Sequence, residues 1–165
     1  ACVGVLEERK NQVFLLNIAG KMRGSNVQIL LFGSGPDEQL LFKLAENKKI
    51  SDQILFKGWV QSEEIWQETD LLLMPSLHEG APNAVLEALA TETPVLASDI
   101  PEHQEILPQE CLLSLTDAGA WQEKLEAITE NPQYQLNQLV AAQERTCDHL
   151  RFDWDEKIVC CILGF

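Results

Sequence analysis

Leu71-Leu72-Leu73-Met74-Pro75-Ser76-Leu77-His78-Glu79-Gly80-Ala81-Pro82-Asn83-Ala84-Val85-Leu86-Glu87 is the stretch on which the fold of this chain turns. Leu71 to Met74 is a short apolar run ending at turn residues, which predicts a parallel strand buried on both faces. A polar loop follows, and a helix is expected from about Pro82, since proline is tolerated in a helix's first turn. Glu79 falls in the loop. Glu87 falls inside the helix, on the same face as Asn83 at i−4. A strand–loop–helix unit of this kind can aim both carboxylates at the crevice outside the carboxyl ends of the strands, where open α/β sheets bind ligands. The helix start adds unpaired N–H groups suited to a phosphate, and the carboxylates are acceptors for hydroxyls.

The same alternation extends in both directions. Strands are expected at Ala1 to Leu6, Val27 to Phe32, Ile54 to Phe56, Pro94 to Ala97 and Cys111 to Leu115. Helices are expected at Lys10 to Ala19, Asp37 to Glu46, Ser62 (as the cap) to Thr69, Ala118 to Thr129, Gln133 to about Cys147, and from near Asp153. Strands and helices taking turns in this way predict an α/β fold: a Rossmann-like parallel sheet with helices on both faces. A strand at the very first residue is an abrupt start, which predicts that something precedes it in a longer protein. There is no internal repeat, low-complexity segment or internal linker.

Bulk properties narrow the function. The 165 residues with 45% hydrophobic content suit one globular domain with a sizeable core. The net charge of −14 argues against nucleic-acid binding, which relies on basic patches, and against direct docking on an anionic membrane surface. No apolar run approaches the length of a membrane span, and no secretory signal pattern opens the chain. Cys2, Cys111, Cys147, Cys160 and Cys161 are odd in number and lack zinc spacing, so reduced thiols and a cytoplasmic location are expected. No metal site is expected. Gly33-Ser34-Gly35 lacks the third glycine of a dinucleotide fingerprint and reads as a turn near the ligand.

At Pro75, Ser76, Glu79, Gly80, Pro82, Glu87 and Ala88 the chain resembles the P-S-x-x-E-G-x-P-x-x-x-x-E-A pattern of retaining, family-4-type glycosyltransferases with the GT-B fold, in their carboxyl-terminal, donor-binding domain. The likeness extends to G-V-L-E-E-R-K near the start, F-G-S-G-P, L-F-K-G-W-V, T-P-V-L-A-S-D with Glu105, and F-D-W-D-E-K-I near the end. It implies a single nucleotide-sugar-binding domain over residues 1–165, with the amino-terminal acceptor domain absent from this chain. It further implies that Glu87 holds the donor ribose and Glu79 the donor sugar. Amides around Gly80, Ala81 and Asn83 would cradle the diphosphate, and Gly58, Trp59 and Val60 would line the base. Lys10 would stabilise the departing diphosphate without a metal or other cofactor. The donor is expected to be a nucleotide diphosphate-sugar, UDP-sugar first and GDP-sugar second, with a hexose passing to an unknown acceptor. The isolated domain is expected to transfer nothing.

Two positions inside the chain depart from the pattern. The family's arginine after the first glycine is Val5 here, so half of a basic clamp is missing unless Arg9 takes its place. Glu92 stands where the family has a glycine. The alternatives are a non-catalytic nucleotide-sugar-binding module or degenerate remnant, and half of a sugar-nucleotide epimerase. His78 invites a catalytic role as the neighbour of Glu79 but reads better as an exposed loop residue, and His103 and His149 are weaker catalytic candidates still. Trp59 reads equally as a base-stacking or a packing residue, and Trp66, Trp121 and Trp154 as packing residues.

Overall fold

The six strands among the described residues are short, and each of the first five is followed by a helical segment after which the next strand begins. The computed structural model describes residues 1–146. The helix expected near Asp153, the F-D-W-D-E-K-I segment, His149, Trp154, Cys147, Cys160 and Cys161 lie outside the described residues. β1 (Cys2–Val3), β2 (Ile29–Phe32) and β3 (Ile54–Gly58) form one parallel sheet in the order β1-β2-β3. β4 (Leu72–Met74), β5 (Val95–Ser98) and β6 (Leu112–Leu113) form a second parallel sheet in the order β4-β5-β6. The Leu73 N–H donates to the Ala1 carbonyl at 2.7 Å, which joins the two sheets along β1 and β4. Strand order therefore reverses between β1 and β4, and such a reversal opens a crevice at the carboxyl ends of the two strands.

The helices are α1 (Gln12–Lys21), α2 (Glu38–Lys48), α3 (Ser62–Gln67), α4 (Asn83–Ala90), α5 (Pro101–Gln104), α6 (Ala118–Glu130) and α7 over 132–146. Parallel crossovers are right-handed. Those from β1 to β3 run across the sheet in one direction and those from β4 to β6 in the other. The helices consequently cover both faces. The central strands carry near-continuous apolar side chains because neither face meets water. Leu31, Leu72, Val95, Leu96 and Ala97 are all fully buried. Trp121 closes the core below α1, with its ring edge-to-face on Phe14 at 5.4 Å and its Nε1–H donated to the Ser114 carbonyl. Gln143 of α7 is buried against β5, accepting from the Val95 N–H and donating to the Thr93 carbonyl. It satisfies two groups at the start of a strand that has no water to turn to.

Element order follows the sequence expectation except for the short helix α5, where a loop was expected, and the other differences have local causes. β1 ends at Val3 because Gly4 has φ +139°, and Val5 beyond it is exposed rather than in a strand. Ser62 is not the cap of α3; Gln61 is, and Ser62 lies in the first turn, where its hydroxyl donates to the Glu87 carboxylate at 2.6 Å. A charged acceptor holds that hydroxyl more strongly than a neutral backbone group would. Glu92 does not distort its turn. It adopts the left-handed conformation itself, at φ +57°, at a cost of about 1 kcal/mol that a glycine would avoid.

Candidate functional site

Three backbone approaches shape the crevice. Gly4 N–H donates to the Phe32 carbonyl, Leu6 N–H to the Ser34 carbonyl, and Gly33 N–H to the Gly58 carbonyl. These bonds lace the loops after β1, β2 and β3 together, and the approach of Gly33 to Gly4 requires bare backbone. A Cβ on Gly33 would stand 2.1 Å from the Gly4 carbonyl oxygen. Gly33-Ser34-Gly35 is thus a close-packed turn that supports the loop after β1.

That loop carries the cations. Glu8–Lys10 forms a single 3-10 turn, and Asn11 breaks it from α1 with φ +53°. The turn is stitched to the loop after β4 at two points. The Asn11 amide donates to the Pro75 carbonyl at 3.1 Å, and the Leu77 N–H donates to the Arg9 carbonyl at 2.8 Å. The result brings Lys10 and Arg9 onto Glu79. Lys10 Nζ lies 2.7 Å from Glu79 Oε1, and Arg9 Nη1 lies 2.9 Å from Oε2. Arg9 also grips Glu7 through Nε and Nη2. Ser76 Oγ donates to Glu79 Oε1 at 2.6 Å, and the Glu79 N–H donates to the Glu102 carboxylate. The Glu79 side chain is only 1% exposed and that of Lys10 only 12%.

Burial pushes the Glu79 carboxyl up, but hydrogen bonds from Lys10 and Ser76 and the charges of Lys10 and Arg9 outweigh it, leaving the pKa below its ordinary 4.5. A carboxyl with a depressed folded pKa contributes stability that is present above 4.5 and lost as pH falls through the folded value. The stability difference between the parent and Glu79→Gln is therefore expected to be largest near pH 7 and to shrink below pH 4.5. Urea denaturation across that range checks it, and a difference that does not change with pH would contradict it.

The expected site residues divide into groups. Lys10, Arg9 and Glu79 meet. Arg9 reaches the carboxylate that Val5, 47% exposed and apolar, cannot. Gly80 and Ala81 are exposed at the crevice, and their amides have no partner among the described residues. Asn83 differs: its N–H is donated to the Ala81 carbonyl at 2.9 Å, across Pro82 at φ −80° and ψ +62°, an inverse γ-turn. Its backbone donor is thereby engaged, which the sequence did not foretell. Gly58 has φ +66° with open space where a Cβ would go; Trp59 beside it is 75% exposed and so does not pack, and Val60 is half-buried.

Glu87 is turned toward α3. Ser62 Oγ and Trp66 Nε1 both donate to its Oε2, at 2.6 and 3.3 Å, in a hollow lined also by Glu63, Gln67 and Thr91. Trp66 is therefore a polar partner of Glu87 and not only a packing residue. His78 is an exposed loop residue. Ser62, Ser76 and Asn11 were missed as site residues. Ser76 stood inside the quoted motif, whereas nothing local marked Asn11. Cys2 and Cys111 are buried, and burial pushes their thiols up to about 11 and about 12, so neither is a ready nucleophile. Among the described residues, no helix is long and apolar enough to cross a membrane.

Comparisons with known proteins bear on the family and the fold. The chain is 35% identical over 100 residues to a putative glycosyltransferase, EpsF, of Bacillus subtilis, covering 59% of this chain and 26% of that protein. It superposes on HepE of Anabaena, solved in complex with UDP, with a TM-score of 0.83 at 16% identity, covering 99% of this chain and 49% of that one. It also matches the catalytic domain of the cholesterol-α-glucosyltransferase of Helicobacter pylori, with a TM-score of 0.75 at 21% identity, covering 90% of this chain and 98% of that one. These structures establish the fold, that of GT-B glycosyltransferases. The chain spans about a quarter to a third of the curated relatives it matches. Residues 1–131 match the family described as glycosyl transferases group 1. With that match covering most of its length, the chain belongs to the glycosyl transferases group 1 family.

Proposed function

We propose that this chain is the donor-binding domain of a retaining glycosyltransferase that moves a hexose from a nucleotide diphosphate-sugar, UDP-sugar first, to an acceptor held by a further domain. The observation that carries this reading is the Lys10–Glu79–Arg9 cluster at the carboxyl ends of β1 and β4. When the bond between the sugar's anomeric carbon and the diphosphate breaks, the electron pair leaves with the diphosphate and its charge grows. Fixed cations and N–H groups lower that barrier. An ammonium has three donors, and Lys10 commits one of them to Glu79, which leaves others for phosphate oxygens. The Gly80 and Ala81 amides add neutral donors. Glu79 and Glu87 are carboxylate acceptors for sugar and ribose hydroxyls, and Gly58, Trp59 and Val60 lie along the base side. In this reading the cationic work falls to side chains, no metal takes part, and the domain works in the cytoplasm. The family match leaves the epimerase alternative without support.

Calorimetric titration of the full-length protein with UDP, GDP and ADP tests the reading. Saturable binding of UDP is expected. Glu87→Ala should weaken it by about 10- to 150-fold, the worth of roughly 1.5 to 3 kcal/mol of charge-assisted hydrogen bonding. A folded full-length protein that binds no nucleoside diphosphate would refute the proposal. Equal binding by parent and mutant would remove Glu87 from the site. The exposed, apolar Val5 favours a second reading, a nucleotide-sugar-binding module without transfer. Tight binding with neither transfer nor hydrolysis of the donor would select it.

A further inference from the structure

His103 takes part in none of the chemistry above, yet its side chain is fully buried at the carboxyl end of β5. Its Nδ1 lies 2.9 Å from the Ser98 carbonyl and 3.3 Å from Ser98 Oγ. A carbonyl can only accept, so Nδ1 carries the ring proton and the neutral ring leaves a lone pair on Nε2. Ser98 Oγ gives its own hydrogen to the Ser76 carbonyl at 2.6 Å. Ser76 Oγ in turn gives its hydrogen to Glu79 Oε1, also at 2.6 Å. The imidazole is thus tied to the carboxylate that meets Lys10 through two serines: Ser98 holds the Ser76 main chain by a hydrogen bond, and the hydroxyl of the same Ser76 holds Glu79. These residues are almost wholly removed from water: Ser76, Ser98 and His103 are 0% exposed and Glu79 6%. His103 Nε2 is buried and meets no partner among the described residues.

Burying polar groups in series costs desolvation that apolar packing would avoid. The arrangement secures orientation instead. The Ser76 hydroxyl and Lys10 converge on the same oxygen, Oε1, while Arg9 takes Oε2, so the carboxylate has one settled rotation. Burial holds the His103 pKa below its ordinary 6.5, partly opposed by the hydrogen bond to Ser98 and the charges of Glu79 and Glu102. The ring is therefore neutral at neutral pH and does not put a further cation beside Lys10.

We propose that His103 is a positioning residue for recognition of the donor's sugar: by fixing Ser98, and through it Ser76, it holds the Glu79 carboxylate where sugar hydroxyls meet a rigid acceptor. The proposal rests on the donor-binding reading given above, and it makes the sugar part of the donor, rather than the nucleotide, depend on His103.

The test compares UDP with UDP-glucose, and GDP with GDP-mannose, by calorimetry on the full-length protein. His103→Leu should weaken binding of the nucleotide-sugar by at least about tenfold while leaving the free diphosphate within about twofold. His103→Asn restores an N–H near the Nδ1 position and should recover affinity to within about threefold of the parent. Ser98→Ala removes the next link with little change of volume. It should reproduce the selective loss, and it decides the matter if His103→Leu does not fold. Equal loss for diphosphate and nucleotide-sugar, or no loss in folded variants, would overturn the proposal while leaving the donor reading intact. A folded parent that binds neither nucleotide-sugar overturns both.

Discussion

Lys10→Met is expected to destabilise the protein by about 3 kcal/mol at pH 7 and to abolish measurable binding of a nucleotide-sugar. The two effects share one cause. Glu79 is held ionised in a site where its side chain is 1% exposed, and Lys10, at 2.7 Å, is its less exposed cation. Arg9 remains after the substitution, but its side chain is 31% exposed and its charge is shared with Glu7. Removing one partner of a buried pair leaves a charge that water cannot reach and the protein satisfies less fully, which is the expensive case. The expected size lies at the low end of the range because Arg9 and Ser76 stay in contact with the carboxylate. Methionine keeps most of the lysine stem's volume, so lost packing is a small part of the effect. Urea denaturation at pH 7 reads the stability change, and titration with UDP-glucose reads the binding. A mutant within about 0.5 kcal/mol of the parent would mean that the pair is not worth what its burial implies.

Gly33→Ala should cost about 3 kcal/mol or more and should also weaken the site from a distance. A Cβ at this position would lie 2.1 Å from the Gly4 carbonyl oxygen and 2.9 Å from the Gly4 carbonyl carbon. Both are backbone atoms, so no side chain can swing aside. The residue also has φ +120°, a conformation that side-chain-bearing residues rarely adopt. Relief comes only by moving the loop after β1, which carries Lys10 and Arg9. Gly24→Ala is the control: its φ is +88° and nothing lies within 4 Å of the added Cβ, so it meets strain without collision. That substitution should cost about 1 kcal/mol and leave nucleotide binding unchanged. Denaturation midpoints of the two variants, measured side by side, separate collision from backbone strain. Equal midpoints would show that the approach of Gly33 to Gly4 relaxes freely.

The sequence by itself determined the class of fold and the family. Buried strands such as Leu72–Met74 are continuous apolar runs, helices such as α6 repeat their apolar residues at helical spacing, and both signals are local. The Pro75 to Glu87 motif was equally legible, because its glutamates, glycine and proline keep fixed spacings along the chain. Tertiary structure alone decided which of these residues meet. Arg9 and Lys10 reach Glu79 across about seventy residues of sequence, because β1 and β4 lie side by side where strand order reverses. No periodicity records that adjacency. The same holds for Asn11 on Pro75, for Ser62 and Trp66 on Glu87, and for the path from His103 through Ser98 to Ser76. The direction of a polar side chain depends on which donors and acceptors the packed loops bring within about 3 Å, and that is a property of the assembled sheet rather than of any one segment.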